Sequence, residues 1–261
     1  MGHADEATAM NARQDAAKRA LALLDLTDLN DTSTEGAVLT LCASAKAPQG
    51  HVAAVCIWPQ FVALAHEALK ATPVGITTVI NFPSGAGDLK DVLEATKAAL
   101  AAGADEIDLV MPWQAFMVGD VRPAATMVAA VKSLTKARAL KVILETGELK
   151  DAALIKAAAL LAIDQGADFI KTSTGKTAVS ATPEAARVMM GAILERGGKV
   201  GFKAAGGLRT LDQAQIYIDL ADEILGRNWA QATHLRLGAS GLHAALLAEI
   251  EGSETKLGEG Y

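Results

Sequence analysis

Two lysines stand in otherwise apolar segments of the sequence. Lys171 lies in Asp-Phe-Ile-Lys-Thr-Ser (168–173) and Lys203 in Val-Gly-Phe-Lys-Ala-Ala-Gly-Gly (200–207). If the segments are adjacent parallel strands, side-chain alternation can bring the two ammonium groups close together. Like charges at short range favour a neutral amine, and a desolvated neutral amine can attack a carbonyl carbon to form an imine. The pair therefore predicts Schiff-base chemistry; the alternative is two lysines that extend into solvent at a barrel mouth.

A carboxylate interrupts a third apolar segment. Asp108 lies in Glu-Ile-Asp-Leu-Val-Met-Pro (106–112). A carboxylate beside an amine can shuttle protons, although buried carboxylates also serve only to pair with cations. We expect Asp105 and Glu106 at the start of this strand, away from the site.

Four further residues have weaker assignments. Lys141 shares a strand face with Glu145, and we interpret both as ion-pair members that either orient the site or are purely structural. Asp25 lies before the first expected strand, where it fits a helix end or a turn. Cys56 fits a small apolar filler near the site better than a nucleophile.

Three glycine-containing loops follow expected strands. Their sequences are Lys-Thr-Ser-Thr-Gly-Lys (171–176), Gly-Gly-Leu-Arg-Thr (206–210) and Leu-Gly-Ala-Ser-Gly (237–241), and the last one opens a helix. Small residues let backbone N–H groups approach an anion, and a helix N-terminus adds a favourable dipole. Tight turns explain each glycine pair alone, but three such loops, two of them with a cation (Lys176 and Arg209), predict a phosphate site.

An alternation of short apolar runs and helical segments positions these residues. Eight runs are candidate strands: Val52–Trp58, Gly75–Asn81, Glu106–Pro112, Lys141–Thr146, Asp168–Ser173, Val200–Gly206, Asp222–Gly226 and His234–Ser240. The helical segments include Asp88–Ala102, Lys150–Gln165 and Pro183–Arg196. This pattern predicts an α/β fold, a (β/α)8 TIM barrel whose strand C-termini carry the site.

The ends of the chain complete the prediction. A segment from about Ala12 to Leu24 has helical spacing and predicts an extra N-terminal helix. Hydroxyl caps and an acid at 31–35 resemble the start of the next helix. The Gly/Glu-rich tail, Gly252–Tyr261, is expected to be mobile. We therefore expect one domain over residues 1–261.

Composition restricts the function classes. The 261 residues are 51% hydrophobic and carry a formal net charge of -6, so nucleic acid and anionic membranes are poor candidates as partners. Two cysteines, Cys42 and Cys56, do not predict a disulfide framework. With no signal-like segment and no long apolar run, the expected location is the cytoplasm. The histidines are scattered, so no catalytic metal is expected.

With these residues in view, the sequence from about Ala17 to Leu247 resembles the deoxyribose-phosphate aldolases of the longer bacterial type. The most specific pieces are Leu-Asp-Leu-Thr (24–27), Leu-Glu-Thr-Gly-Glu-Leu-Lys (144–150), Ala-Asp-Phe-Ile-Lys-Thr-Ser-Thr-Gly-Lys (167–176) and Gly-Phe-Lys with Ala-Gly-Gly (201–207). The resemblance implies reversible cleavage of 2-deoxy-D-ribose 5-phosphate to acetaldehyde and D-glyceraldehyde 3-phosphate, without a cofactor, in deoxyribonucleotide catabolism.

The resemblance also implies residue roles. Lys171 would be the Schiff-base lysine, Lys203 would lower its pKa, and Asp108 would relay protons. The polar network around the substrate would include Asp25, Thr27, Lys141 and, from the tail, Tyr261. The phosphate pocket would be lined by Gly175, Lys176, Gly206, Gly207, Arg209, Gly238 and Ser240. The implied partners are phosphorylated sugar and aldehyde substrates, and the implied assembly is a dimer or tetramer.

Two positions depart from the family pattern. Ala204 stands where proline often follows the second lysine, and Gly241 stands where a second serine is frequent. We expect the missing hydroxyl to weaken phosphate binding rather than to change the reaction. Three rivals remain: another Schiff-base aldolase, such as a transaldolase-like or fructose-phosphate enzyme, a catalytically silent phosphate-binding barrel, and a metal-dependent barrel isomerase or aldolase.

Overall fold

Eight parallel strands close into a barrel. The computed structural model describes residues 3–252. The barrel strands are β1 Leu24–Asp28, β2 Ala54–Ile57, β3 Gly75–Ile80, β4 Glu106–Val110, β5 Ala139–Ile143, β6 Phe169–Lys171, β7 Gly201–Ala205 and β8 Leu235–Ala239. Each strand pairs with its neighbours in the chain, and β1 pairs with both β2 and β8. The predicted (β/α)8 TIM barrel is confirmed.

Helices surround the barrel. They are α1 His3–Ala22, α2 Glu35–Ser44, α3 Val62–Leu69, α4 Leu89–Ala101, α5 Trp113–Met117, α6 Arg122–Thr135, α7 Thr146–Leu149, α8 Ala152–Asp164, α9 Pro183–Glu195, α10 Leu211–Leu225 and α11 Leu242–Glu251. Several begin at side-chain caps that satisfy free backbone N–H groups, such as Thr34 before α2 and Thr182 before α9. A hairpin of two-residue strands, Lys46–Ala47 and Gly50–His51, follows α2.

One predicted strand is wrong, and the true first strand was not predicted. The run Asp222–Gly226 lies at the C-terminal end of α10, where the buried residues Ala214, Ile218 and Ala221 continue a helical period. The first strand is instead Leu24–Asp28, so Asp25 lies within β1 rather than before the first strand. The fifth and sixth predicted strands are therefore β6 and β7, whereas the eighth keeps its number.

The apolar core lies between the barrel and its helices. Outward-facing strand residues such as Leu26, Ile107, Val142 and Phe202 are buried there. The opposite face of the same strands points to the barrel interior and carries charged side chains. Because strand alternation separates the two sets, the interior can be polar while the outer layer remains a continuous core.

The extra N-terminal helix is confirmed, and it begins at His3 rather than near Ala12. It packs against α10 and α11, where Arg19 pairs with Asp222 at 2.9 Å. Both cysteines are buried and unbridged. Within residues 3–252, no helix combines the length and apolar character that a membrane crossing requires. Most of the tail that was predicted to be mobile, residues 253–261, lies outside the described part of the chain.

Candidate active site

The two lysines singled out from the sequence lie side by side inside the barrel. Lys171 on β6 and Lys203 on β7 are register partners. Each Nζ lies 2.7 Å from the same atom, Oδ2 of Asp108 on β4. All three side chains are at least 97% buried. The barrel therefore brings together the amine pair and the carboxylate that the sequence predicted as neighbours.

Asp25 and Lys141 add further ion contacts to Lys203 and Asp108. Lys203 Nζ lies 2.6 Å from Asp25 Oδ2, an ion contact without hydrogen-bond geometry. Lys141 Nζ lies 3.0 Å from Asp108 Oδ1 and 3.8 Å from Asp25 Oδ2. Both residues are fully buried. Asp25 thus has ammonium partners, and Lys141 has carboxylate partners. That either residue contacts the substrate stays a prediction.

One charged residue at the base of the barrel, Arg236, was not identified from the sequence. Arg236 on β8 donates to Asp25 Oδ1 at 2.7 Å and to Glu106 Oε1 at 2.6 Å. Glu106 lies at the start of its strand, as predicted, and faces the interior, where Lys141 Nζ lies 2.5 Å from its Oε2. Asp105, in contrast, accepts the backbone N–H of Ile76 at the strand start. The signal was available, because Arg236 interrupts the apolar run of β8.

Seven charged side chains thus fill the barrel interior, and we call them the interior charge cluster: Asp25, Glu106, Asp108, Lys141, Lys171, Lys203 and Arg236. Three are acids and four are bases. Burying an uncompensated charge is costly, so the cluster is neutral overall only if one base gives up its proton. The Arg236 guanidinium holds its proton at every accessible pH, which leaves the lysines.

The surroundings select Lys171 as that base. Burial lowers the pKa of Lys171, and the charge of Lys203 lowers it further, which together outweigh the attraction of Asp108. Burial also acts to lower the pKa of Lys203, but Asp108 and Asp25 outweigh it and raise that pKa. The same balance, with Asp108 and Glu106 as the main partners, raises the pKa of Lys141. A neutral Lys171 among charged neighbours is the state that the geometry favours.

Asp108 remains a carboxylate in this setting. Burial alone would raise its pKa, but Lys141, Lys171 and Lys203 attract the negative charge and hold the pKa well below its ordinary value. Cys56, also on the inward face, is fully buried, and burial raises the pKa of its thiol. The thiol is therefore protonated near neutral pH, in agreement with a filler beside the site.

A cavity of about 270 Å³ opens above Lys171 at the C-terminal ends of the strands. Thr27 lines it from β1, and all of the predicted phosphate residues line it as well. These are Gly175, Lys176, Gly206, Gly207, Arg209, Gly238 and Ser240. The amine and the anion-binding loops thus share one cavity; phosphate binding itself stays a prediction.

Close approaches favour glycine at two of these positions, Gly206 and Gly238. Gly206 has φ +85°, and a Cβ there would lie 2.5 Å from Ser180 Oγ. At Gly238 a Cβ would lie 3.0 Å from Lys203 Cε, so this glycine makes room for the second lysine as well as for a ligand. Gly238 also precedes the N-terminus of α11, whose dipole favours an anion.

Lys141 is an ion-pair member, as expected, whereas Glu145 supports the pocket wall through hydrogen bonds. Its carboxylate accepts hydrogen bonds from the Thr174 hydroxyl at 2.6 Å and from the Thr177 hydroxyl at 3.3 Å. Its backbone is left-handed, with φ +57°. The strain turns the side chain away from the interior and towards the loop after β6.

The cations of the pocket lie at its rim. Lys176 Nζ is 3.5 Å from Asp31 Oδ1, across from the start of α2. Arg209 is exposed, and its backbone N–H donates to Gln213 Oε1 at 2.7 Å. Tyr261, which was predicted to reach the site from the tail, lies outside the described residues. Among residues 3–252, no cluster of three or more His, Cys, Asp or Glu side chains is arranged to hold a metal ion.

Residues 19–244 match the model of the DeoC/LacD family aldolases. An apo-form candidate deoxyribose-phosphate aldolase from Toxoplasma gondii ME49 is 25% identical, with a TM-score of 0.85, and the match covers 94% of this chain and 99% of that one.

Two other solved structures are similar over nearly the same length. A candidate deoxyribose-phosphate aldolase from Coccidioides immitis is 28% identical, with a TM-score of 0.76 and coverage of 95% and 97%. The deoxyribose phosphate aldolase of Aeropyrum pernix, described as a unique tetramer, is 26% identical, with a TM-score of 0.70 and coverage of 91% and 92%. The likeness therefore spans the whole barrel.

Proposed function

Because the chain belongs to the DeoC/LacD family of aldolases, we propose that it cleaves 2-deoxy-D-ribose 5-phosphate reversibly to D-glyceraldehyde 3-phosphate and acetaldehyde, with Lys171 as the Schiff-base lysine. One observation carries the proposal: an amine whose pKa is lowered lies at the floor of a cavity lined by anion-binding loops. A neutral amine is the nucleophile that imine formation requires.

The covalent steps balance in atoms and charge. Neutral Nζ of Lys171 adds to C1 of the open-chain sugar phosphate, and the carbinolamine takes up one proton and loses water to give an iminium ion. A base takes the proton of the C3 hydroxyl, the C2–C3 bond breaks, and its electron pair moves into the iminium to form an enamine. Glyceraldehyde 3-phosphate leaves. Protonation of the enamine at C2 and hydrolysis of the new iminium release acetaldehyde and restore the amine.

Asp108 serves two purposes in this scheme. Its Oδ2 contacts Lys171 Nζ at 2.7 Å, so the carboxylate stabilises the positive iminium that forms there. The same oxygen contacts Lys203 Nζ, which gives a proton route between the reacting nitrogen and a protonated neighbour, with water completing it. A positioned acid–base group of this kind contributes about two to four decades in rate.

The phosphate end is proposed to bind at the loops after β6, β7 and β8. Backbone N–H groups of the glycine segments, the N-terminus of α11, and the side chains of Lys176 and Arg209 supply positive potential there. Holding the phosphate fixes the distance from the sugar C1 to Lys171. Such positioning turns the attack into an effectively unimolecular step.

Trapping of the imine tests the proposal. The protein is incubated with acetaldehyde and borohydride, digested, and mapped by mass spectrometry. We expect an N-ethyl group on Lys171 that is absent from Lys171→Met, with release of glyceraldehyde 3-phosphate from 2-deoxyribose 5-phosphate by the unmodified protein. Lys150→Met, outside the cavity, is the matched control. Labelling confined to other lysines would reject Lys171 as the nucleophile.

We also propose a homo-oligomer, a dimer or tetramer, since the similar aldolase of Aeropyrum pernix is described as a tetramer. Light scattering coupled to size-exclusion chromatography measures the assembly. A mass equal to one chain at micromolar concentration would contradict it.

A further inference from the structure

We propose that Arg236 and Glu106, at the base of the barrel, set whether the distant Lys171 amine carries a proton. They are positioning residues, since neither lines the cavity above Lys171. The proposal rests on the Schiff-base function of Lys171, but it concerns the opposite end of the barrel interior, which the reaction itself does not require.

A chain of short contacts connects the base to the amine. Arg236 Nη1 lies 2.7 Å from Asp25 Oδ1, and Asp25 Oδ2 lies 2.6 Å from Lys203 Nζ. Lys203 and Lys171 then share Asp108 Oδ2, at 2.7 Å each. Every side chain in this path is at least nine-tenths buried, so solvent screens the interaction little.

A second path runs through Glu106. Its two carboxylate oxygens receive Arg236 Nη2 at 2.6 Å and Lys141 Nζ at 2.5 Å. Lys141 in turn donates to Asp108 at 3.0 Å. Thr77 adds a hydroxyl donor to Glu106 at 2.7 Å. Glu106 thus couples Arg236, at the bottom of the barrel, through Lys141 to Asp108.

The charged and titratable groups that face this path come from all sides of the barrel. Besides the interior charge cluster, they are Cys56 on β2 near the lysine pair and, around the opening at the base, Asp168 and Lys199. The ring of Phe169 lies 6.0 Å from Lys141 Nζ and 5.6 Å from the Arg236 guanidinium carbon, so this residue presents an aromatic face to both cations.

Charge balance predicts that removing the charge of Arg236 and removing that of Glu106 shift the protonation of Lys171 in opposite directions. With Lys171 neutral, three acids balance Lys141, Lys203 and Arg236. If Arg236 loses its charge, the cluster has an excess negative charge and a proton on Lys171 restores neutrality. If Glu106 loses its charge, the excess is positive and the neutral amine is favoured more strongly. A merely structural role for either residue would not produce opposite signs.

The test measures the neutral fraction of the Lys171 amine directly. Wild type, Glu106→Gln, Arg236→Met and the double variant are exposed to cyanate over a pH series, and carbamylation of Lys171 is quantified by peptide mass mapping against a reference amine in the same tube. Cyanate reports neutral amine without any aldolase step. Glu106→Asp and Arg236→Lys, which keep the charges, are the matched controls, and circular dichroism checks the fold.

We expect the labelling midpoint to move to lower pH in Glu106→Gln, to higher pH in Arg236→Met, and to return near wild type in the double variant. Coulomb's law at a separation of roughly 10 Å and an effective dielectric constant of about 20 gives a shift of about one pH unit. Unmoved midpoints, or movement in the same direction for both variants, would overturn the proposal. If Arg236→Met does not fold, Glu106→Gln against Glu106→Asp decides alone.

The outcome is separable from the proposed function. If Lys171 is labelled with the expected shifts but forms no imine with acetaldehyde, the electrostatic inference stands and the aldolase assignment fails. If the imine forms and the midpoints do not move, the aldolase assignment stands and this inference fails.

Discussion

Replacing Lys203 with methionine tests the paired-lysine arrangement. Lys203 Nζ and Lys171 Nζ contact the same oxygen of Asp108, so the removed charge is a near neighbour of the reacting amine. At a separation of roughly 5 Å and an effective dielectric constant of about 20, the repulsion removed is about 3 kcal/mol. That energy corresponds to about two pH units in the protonation of Lys171. The direction is upward, because loss of the ammonium leaves Asp25 and Asp108 in excess.

The assay is the pH dependence of kcat/KM for cleavage of 2-deoxyribose 5-phosphate, whose acid limb reports the free enzyme. We expect that limb to move up by about two pH units in Lys203→Met, with a loss of about a hundredfold at pH values that lie on the acid limb of both proteins. Lys203→Arg keeps the charge and should keep the limb near its wild-type position. An acid limb that is unmoved in Lys203→Met, or moved to lower pH, would refute the reasoning. Thermal unfolding must accompany the assay, since breaking a buried ion pair costs about 3–5 kcal/mol.

Three further predictions follow from the same geometry. Asp108→Asn removes the shared carboxylate, so we expect turnover to fall by about two to four decades. Borohydride should still trap acetaldehyde on Lys171 in this variant. Loss of trapping together with turnover would count against the relay role. Gly206→Ala places a Cβ 2.5 Å from Ser180 Oγ, at a residue whose φ is +85°. The KM for the phosphorylated sugar should therefore rise by about tenfold, while cleavage of unphosphorylated deoxyribose should be unchanged. The three carboxylates of the interior charge cluster have lowered pKa values in the folded state, so their stabilisation is complete above the unfolded value of about 4 and is lost as pH falls below it. The urea midpoint should therefore decline steeply below about pH 4.

Most of the barrel was predictable because its strands are short apolar runs separated by helical periods. The exceptions have a physical cause. Asp222–Gly226 contains an apolar pair that fits a strand equally well, and only the packing of α10 decides it. Leu24–Asp28 alternates apolar with polar residues directly after a helix. In the sequence alone Asp25 resembles a turn residue, because its partner Lys203 comes close only when the barrel closes.

The same limit applies to the site. Lys171, Lys203 and Asp108 were identifiable because each interrupts an apolar strand. Arg236 does so as well, yet its partner Asp25 is 211 positions away in the chain, and only closure of β8 against β1 brings them into contact. Glu145 lies outside the interior charge cluster because its left-handed backbone rotates it out of the strand's alternation. Periodicity describes regular backbone, and this residue departs from it.

The central claim is that the barrel interior lowers the pKa of Lys171 and so favours its neutral amine. Carbon-13 NMR of protein labelled at the lysine ε-carbons, with the Lys171 signal assigned by its loss in Lys171→Met, measures this directly over a pH titration. We expect the Lys171 signal to titrate well below the signals of the exposed lysines, in line with burial and the charge of Lys203. A Lys171 signal that titrates together with the exposed lysines would contradict the account.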